Sequence, residues 1–216
     1  MRSVKPKRRY QSEKRQAQAR QTRTGILEAA HREFVANGWE RTTIAAIAAG
    51  AGVSPETVYA AFSNKRTILR DLVRATTRGA EPDVPLIDQE RQRAVREEID
   101  PRQQIALFAA SVTDVLKRIA PLMDVIRIAA ASDSELAELH AELHRGRHRN
   151  LGRFAASLAA HGPLAAGIDE QTATDQIWRL ASPELFLLMT RVERLSAEQF
   201  AVWLENTLAV LLLPKR

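Results

Sequence analysis

The segment that most constrains this fold is 41–65, RTTIAAIAAGAGVSPETVYAAFSNK, in which two short helical patterns flank a bend. Thr43 is suited to cap a helix start, because its hydroxyl accepts a hydrogen bond from a backbone N–H two or three residues on. Gly50 and Gly52 stand where that helix must end, and glycine turns the backbone through positive φ without a Cβ clash. The pattern predicts a short helix after Thr43 and then a sharp bend.

A second helix is predicted to follow the bend. Ser54 supplies another capping hydroxyl, and Pro55 takes the first helical position, where its missing N–H costs no hydrogen bond. Val58 and Phe62 lie one turn apart and are expected to face inward. Ser63 is expected to cap a third helix. Two helices across a glycine-bearing bend predict a helix-turn-helix.

The outer face of the second helix carries small, hydroxylated or hydrogen-bonding side chains. Such a helix can enter a DNA major groove, which is about 12 Å wide, and bring short side chains to base edges. Thr43 and Lys65 open the flanking helices, where free N–H groups and the positive end of the helix dipole favour a phosphate. The predicted DNA-binding residues are Thr43, Ser54, Pro55, Glu56, Thr57, Tyr59 and Lys65.

Three of these residues have alternative interpretations. Tyr59 could be a packing ring in place of a phosphate contact, and Lys65 could be a solvated lysine. Glu56 carries a negative charge, as DNA does. It is therefore expected either to be simply exposed or to accept a hydrogen bond from a cytosine base.

The pattern TT-x3-IA-x2-AGVS-x2-T-x-Y-x2-F-x2-K resembles the amino-terminal domain of the TetR family of bacterial transcriptional regulators. The resemblance extends upstream through ILEAAHREFVANGWERTT and covers roughly residues 20–73. This chain departs from the family pattern at Ala45, Ala60, Ala61 and Arg66. Those departures leave the operator sequence open, while the mode of DNA binding is unaffected.

The resemblance implies an all-α chain, with a three-helix helix-turn-helix domain followed by a larger helical ligand-binding and dimerisation domain. It also implies a repressor that binds a pseudo-palindromic operator in double-stranded DNA and is released by a small-molecule effector. Candidate effector-pocket residues, each of which also suits a hydrophobic core, are Phe108, Met123, Arg127, Trp178, Phe186 and Met189.

Positive charge is concentrated at the start of the chain. Residues 1–25 hold nine Lys or Arg residues against one Glu, a net charge of +8, whereas the whole chain is +6 and the remainder is therefore −2. Residues 1–19 are predicted to form a disordered basic arm, since they show no apolar period. Such an arm suits phosphate or minor-groove contacts, although a solubilising tail is the alternative.

The remaining residues show helical periodicity without alternating strand patterns. A helix is predicted from Thr22 to Asn37, with Ile26, Ala30, Phe34 and Val35 in its apolar stripe. Gly79, Pro82 and Pro85 mark a break, which divides a DNA-binding domain at 20–79 from a regulatory domain at 80–216. Later helices are predicted from Pro101 to Pro121, from Leu122 to Ala131, from Ser134 to about Ala160, from near Asp169, from Ser182 and from Ser196.

The last helix is apolar on both faces, so both faces must be buried. The simplest second partner is another copy of the chain in a two-fold homodimer, which would also place two recognition helices about 34 Å apart. The resemblance to the TetR family implies the same dimeric arrangement. The predicted interface residues are Phe200, Trp203, Leu204, Leu208 and Leu211.

His140, His144 and His148 recur every four residues and therefore share one helical face. Imidazoles one turn apart can hold a divalent metal. Arg145 and Arg147 crowd the same turn, however, and no HExxH motif is present, which favours a solvated polar face. The sequence therefore predicts no metal and no cofactor.

Other function classes lack a motif in this sequence. No nucleophile elbow, P-loop or dinucleotide fingerprint is present, so the chain is not expected to be an enzyme. A non-specific DNA-coating protein that relies on the basic arm remains the main alternative. The absence of cysteine, of a membrane-length apolar run and of a secretory signal predicts a cytoplasmic protein.

Overall fold

Helix-forming patterns determine the architecture throughout the part of the chain that the computed structural model describes, residues 7–79, 81 and 83–215. Every regular element there is helical, so the predicted all-α class is confirmed. The chain divides into two units, Met1–Leu72 and Val73–Arg216. The first unit contains α1 (Lys7–Arg41), α2 (Ile44–Ala51), α3 (Pro55–Ala61) and the first half of α4 (Lys65–Arg78).

The predicted disorder of residues 1–19 is wrong over residues 7–19, because α1 already begins at Lys7. Arginine, lysine, glutamine and alanine dominate this stretch, and all four have high helix propensity. They extend the helix upstream of Thr22, where an apolar stripe alone placed its start. Residues 1–6 lie outside the described residues.

Gly38 interrupts α1 with φ 70° and ψ −175°. It directly follows Asn37, where the predicted helix ends. Upstream of it, Ile26, Ala30 and Phe34 are fully buried, whereas Val35 is 41% exposed and does not belong to the predicted stripe. Downstream of it, Trp39 stacks on Phe34 with ring centroids 5.8 Å apart.

Helices α2, α3 and α4 each bury an apolar face. Ile47 of α2, Val58 of α3 and Ile68 of α4 have no exposed surface, and Phe62 is 2% exposed. These contacts explain why helices of seven or eight residues are stable, since helices this short are marginal without tertiary packing.

The cap of α4 is Asn64, and the prediction of Ser63 is wrong. The Asn64 Oδ1 accepts a hydrogen bond from the Thr67 N–H at 2.8 Å. The Ser63 hydroxyl instead lies 3.2 Å from the Thr67 hydroxyl, outside the helix. Both residue types cap helices well, so the sequence alone did not separate them.

The second unit is a larger helical assembly. Its main helix pairs are α6 with α10, which are distant in sequence, and α7 with α8, which are consecutive. Its elements are the second half of α4, a 3₁₀ turn (Leu86–Asp88), α5 (Glu90–Glu97), α6 (Pro101–Ala129), α7 (Ser134–His161), α8 (Glu170–Leu180), α9 (Pro183–Leu187), a π-helical turn (Leu188–Val192) and α10 (Ala197–Leu212).

The predicted break at Pro121 does not occur, because α6 runs through it to Ala129. An internal proline costs a helix about 3 kcal/mol. Its neighbours Ile119, Ala120, Leu122 and Met123 are all buried, so packing on both sides holds the helix together and offsets that cost.

The core of the second unit lies between α6, α7, α8 and α10. Phe108 of α6 stacks on Phe154 of α7, with ring centroids 3.9 Å apart. Phe186 meets Phe200 edge to face at 5.0 Å. None of the described helices combines the length and the apolar composition that crossing a bilayer requires.

Candidate DNA-binding surface and ligand cavity

The exposed face of α3 carries the residues that the sequence predicts to read DNA. Pro55 and Glu56 are exposed, Thr57 is half-buried, and Tyr59 is 56% exposed. Val58 alone is buried within the helix. The Tyr59 ring is therefore not part of the core.

Hydroxyl caps fix the start of both helices of the motif. The Thr43 Oγ1 accepts from the Ala46 N–H at 3.1 Å, and the Ser54 Oγ accepts from the Thr57 N–H at 3.3 Å. Between them, Gly52 takes φ 66° and ends α2. A hydrogen bond with Ser54 holds the pKa of the exposed Glu56 carboxyl below its usual value. Glu56 is thus an anion at the start of α3.

Arg23 locks the far end of α3, a role that the sequence did not reveal. Its guanidinium donates to the Ala61 carbonyl at 2.6 Å and forms a short ion pair with Asp71. It also lies 3.9 Å from the centre of the Phe62 ring. A residue that was counted in the sequence only for its charge therefore ties α1 to α3 and α4.

Lys65 points inward, which favours a structural role over the predicted phosphate contact. Its ammonium donates to the carbonyls of Trp39 at 2.7 Å and Thr42 at 2.9 Å. It also lies 4.0 Å from the centre of the Trp39 ring. Lys65 thereby satisfies carbonyls between Gly38 and α2.

A cavity of about 470 Å³ lies within the second unit, between α4, α5, α6 and α7. Side chains such as Phe108, Leu116 and Met123 make much of its wall apolar. Five arginines and one glutamate also line it, a formal charge of +4; they are Arg74, Arg96, Arg147, Arg149, Arg153 and Glu142. The volume is that of an ordinary small-molecule pocket.

Comparisons with known proteins agree with this arrangement. Residues 26–72 match the family model described as bacterial regulatory proteins, tetR family. The amino-terminal helices are a TetR-family DNA-binding domain. No curated protein sequence matches the chain.

Solved structures show that the TetR-type fold extends over both units. A structure of FadR from Bacillus subtilis in complex with stearoyl-CoA is 20% identical, with a TM-score of 0.67 over 86% of this chain and 96% of that one. NalD of Pseudomonas aeruginosa, the secondary repressor of the MexAB-OprM multidrug efflux pump, is also 20% identical, with a TM-score of 0.67 over 91% and 98%. A protein from Rhodococcus sp. described as a TetR-family transcriptional regulator is 18% identical, with a TM-score of 0.65 over 88% of this chain and 98% of that one.

The cavity contains two of the six predicted pocket residues. Phe108 and Met123 lie on its wall. Arg127 instead pairs with Asp124 at 2.7 Å on the surface. The other three belong to the protein's packed interior or to the histidine cluster; they are Trp178, Phe186 and Met189. The sequence missed the arginines on α7, because their shared direction depends on how α7 packs against α6.

Three of the five predicted dimer residues of α10 lie inside the core of their own unit. Phe200, Leu204 and Leu208 are fully buried in their own unit and are not accessible to a second copy. Trp203 is half-buried, and Leu211 is 38% exposed. The other apolar face remains exposed, with Val202 57% and Val210 74% accessible.

The three evenly spaced histidines of α7, His140, His144 and His148, are half-buried, so their interpretation as a solvated face is wrong. The His140 and His144 side chains are 24% and 15% exposed and both face Glu184 of α9. Hydrogen bonding with His144 holds the pKa of Glu184 down at about 2. His148 turns away from this pair and lies 2.8 Å from Asp175 of α8.

Proposed function

We propose that this chain is a TetR-type transcriptional repressor whose α3 enters the major groove of a pseudo-palindromic operator. The observation that carries this proposal is the exposed face of α3, since Tyr59 is left 56% accessible while Val58 and Phe62 anchor the helix from behind. The matching family model supports the same surface. Thr43, Ser54, Pro55, Glu56, Thr57 and Tyr59 are the proposed DNA contacts.

The test begins with an operator selected from a random duplex pool and measured by fluorescence anisotropy. Tyr59→Ala and Thr57→Ala should each weaken operator binding about three- to tenfold, the effect of one lost hydrogen bond. Melting should stay almost unchanged, because Tyr59 supports no core contact. Tyr59→Phe removes only the hydroxyl and separates a phosphate hydrogen bond from ring packing.

Ile99→Ala serves as the control, because Ile99 is 74% exposed and lies in the second unit. A scrambled duplex of equal length distinguishes the non-specific alternative, which relies on the basic arm alone. Equal affinity for both duplexes, or unchanged affinity in both alanine variants at α3, would contradict the proposal.

We infer that the operator is bound by a homodimer formed through the exposed face of α10. Val202, Ala209 and Val210 follow at i, i+7 and i+8, the spacing of one helical face. Leu188 and Val192 of the π-helical turn before α10 are also exposed apolar residues, at 47% and 69%. A two-fold contact between copies would bury this face of α10 and present two copies of α3 to the two half-sites.

The effector we propose is an amphiphile with an apolar body and an anionic head group. The apolar wall around Phe108 suits the body, and the cavity's formal charge of +4 suits the head group. Arg149 and Arg153 are exposed and form no hydrogen bond or ion pair with other described residues. The stearoyl-CoA bound by the structurally similar FadR is a molecule of this class.

The second half of α4 contributes Val73, Arg74 and Thr77 to the cavity wall, and the same helix begins at Lys65. A ligand that binds better to the form with low operator affinity shifts the equilibrium by that difference in affinity. Occupation of the cavity is therefore expected to act on the DNA-binding unit through α4.

Laurate, dodecanol and dodecylamine form a set of twelve-carbon probes whose head groups are anionic, neutral and cationic. Laurate should bind most tightly and release operator DNA. Arg153→Gln should weaken laurate binding about tenfold, since a charge-assisted hydrogen bond contributes about 1.5–3 kcal/mol. Arg145→Gln is the control, because Arg145 lies on the same helix but pairs with Glu138.

Calorimetry measures the binding of each probe, and anisotropy measures operator release. Equal binding of dodecanol and laurate would contradict an anionic effector.

A further inference from the structure

His140 and His144 stand one turn apart on α7 and face Glu184, which follows Pro183 at the start of α9. The two Nε2 atoms are 3.1 Å apart. The Oε1 of Glu184 is 3.3 Å from the His144 Nε2 and 4.0 Å from the His140 Nε2. Two imidazole nitrogens and one carboxylate oxygen therefore converge on one point from two helices.

Two of these separations, 3.1 and 3.3 Å, are close to the edge of a metal coordination tetrahedron, and the third, 4.0 Å, is longer. Zn²⁺ lies about 2.0–2.1 Å from imidazole nitrogen and carboxylate oxygen, so two ligand atoms of one ion are about 3.4 Å apart. The three observed edges lie on both sides of that value. We propose that His140, His144 and Glu184 form a site for Zn²⁺ or a similar divalent transition metal, which links α7 to α9.

Hydrogen bonding alone satisfies this triangle less well than a metal ion does. The Nε2 of a neutral imidazole either donates one hydrogen or accepts, yet the His144 Nε2 faces both the His140 Nε2 and the Glu184 carboxylate. An ion at the centre takes a lone pair from all three atoms at once. Three protein ligands leave a fourth position for water or for another molecule.

The surroundings favour an imidazole-seeking ion over Mg²⁺ or Ca²⁺. Mg²⁺ and Ca²⁺ require oxygen ligands, and this site offers one carboxylate and two imidazoles. The Trp178 ring packs edge-on against His144, with ring centroids 5.8 Å apart, and closes one side. The Glu184 side chain remains 40% exposed, which gives the ion a route from solvent.

Two arginines near the site limit which ions it holds. The Arg147 guanidinium is bound to the carbonyls of Trp178 at 2.7 Å and Ala181 at 3.2 Å. Arg127 lies close enough to act on His140 electrostatically. Their positive charge opposes cation binding, so weakly bound ions should be excluded and Zn²⁺, Ni²⁺ or Cu²⁺ retained.

The metal site goes beyond the proposed regulator function, because metal binding is measured without DNA or effector. Tag-free protein is stripped with a chelator and titrated with Zn²⁺ in a calorimeter. One ion should bind per chain and raise the melting temperature. Co²⁺ should give the visible absorption bands of a tetrahedral site with nitrogen and oxygen ligands.

Glu184→Gln and His144→Ala should each weaken Zn²⁺ binding by more than about tenfold, since even residues outside the first ligand shell contribute that much. His148→Ala is the matched control, because His148 lies on the same helix one turn further and pairs with Asp175. It should bind Zn²⁺ like the parent chain. Metal-free melting curves confirm that each variant is folded, and Glu184→Gln preserves side-chain volume.

Three outcomes would overturn the metal site. The first is absence of Zn²⁺ binding to the parent chain, and the second is unchanged binding in both Glu184→Gln and His144→Ala. The third is an equal loss in His148→Ala, which would indicate adventitious binding along the histidine face. Failure of operator binding in any variant would leave the metal result unaffected.

Discussion

Arg23 shows how a single side chain can position a recognition helix without contacting DNA. It bonds to the carbonyl of Ala61, the last residue of α3, and to the carboxylate of Asp71 on α4. These partners are 38 and 48 residues away along the chain. No local pattern indicates such a contact, so Arg23 was counted in the sequence only toward the positive charge of residues 1–25.

Arg23→Gln should lower the unfolding free energy of the amino-terminal unit by about 1–2 kcal/mol. Hydrogen bonds to charged groups contribute about 1.5–3 kcal/mol, and solvent screening reduces that value because the Arg23 side chain is 42% exposed. Arg20→Gln, an exposed arginine on the same helix, should have almost no effect. Hydrogen exchange of peptides from α1 to α4 locates the loss, and equal protection in both variants would contradict it.

Individual helices were predictable where capping and glycine signals are local. Ser54 and Pro55 start α3 as expected, and Gly52 alone, not Gly50, takes positive φ at the bend. The predicted break at Pro121 was wrong, because the burial of its neighbours in α6 outweighs the cost of a proline inside a helix. Capping residues therefore indicated most helix starts, while tertiary packing decided how far each helix continues.

Helix α10 shows the limit of periodicity for locating a binding site. Its residues are apolar on both faces, and the structure buries one of these faces within the chain's own core. The packing of α10 against α6 decides which of its faces joins the chain's own core. In the structure, the face that carries Leu208 is buried. The cavity could not be predicted from the sequence for the same reason, since its arginines come together only when α4, α5, α6 and α7 pack. Glu184 joins the histidines across about 40 residues, which no spacing rule anticipates.

At the scale of the whole molecule, dimerisation decides whether two α3 helices can bind one operator together. Val210 is 74% exposed on α10, so an aspartate there places a charge on the proposed two-fold interface without entering the core. Val210→Asp should sediment as a monomer and bind a full operator hardly better than a half-site. An unpaired charge within an interface costs several kcal/mol, which is enough to separate a small apolar contact.

Ile99→Asp is the matched control for the dimer, because Ile99 is equally 74% exposed but lies in the segment between α5 and α6. It should remain dimeric and retain operator affinity. Leu208→Asp serves a different purpose: Leu208 is fully buried, so the charge should unfold the second unit and not merely dissociate two folded copies. Sedimentation velocity with circular dichroism separates these results. A dimeric Val210→Asp protein with unchanged operator affinity would show that the two copies meet elsewhere.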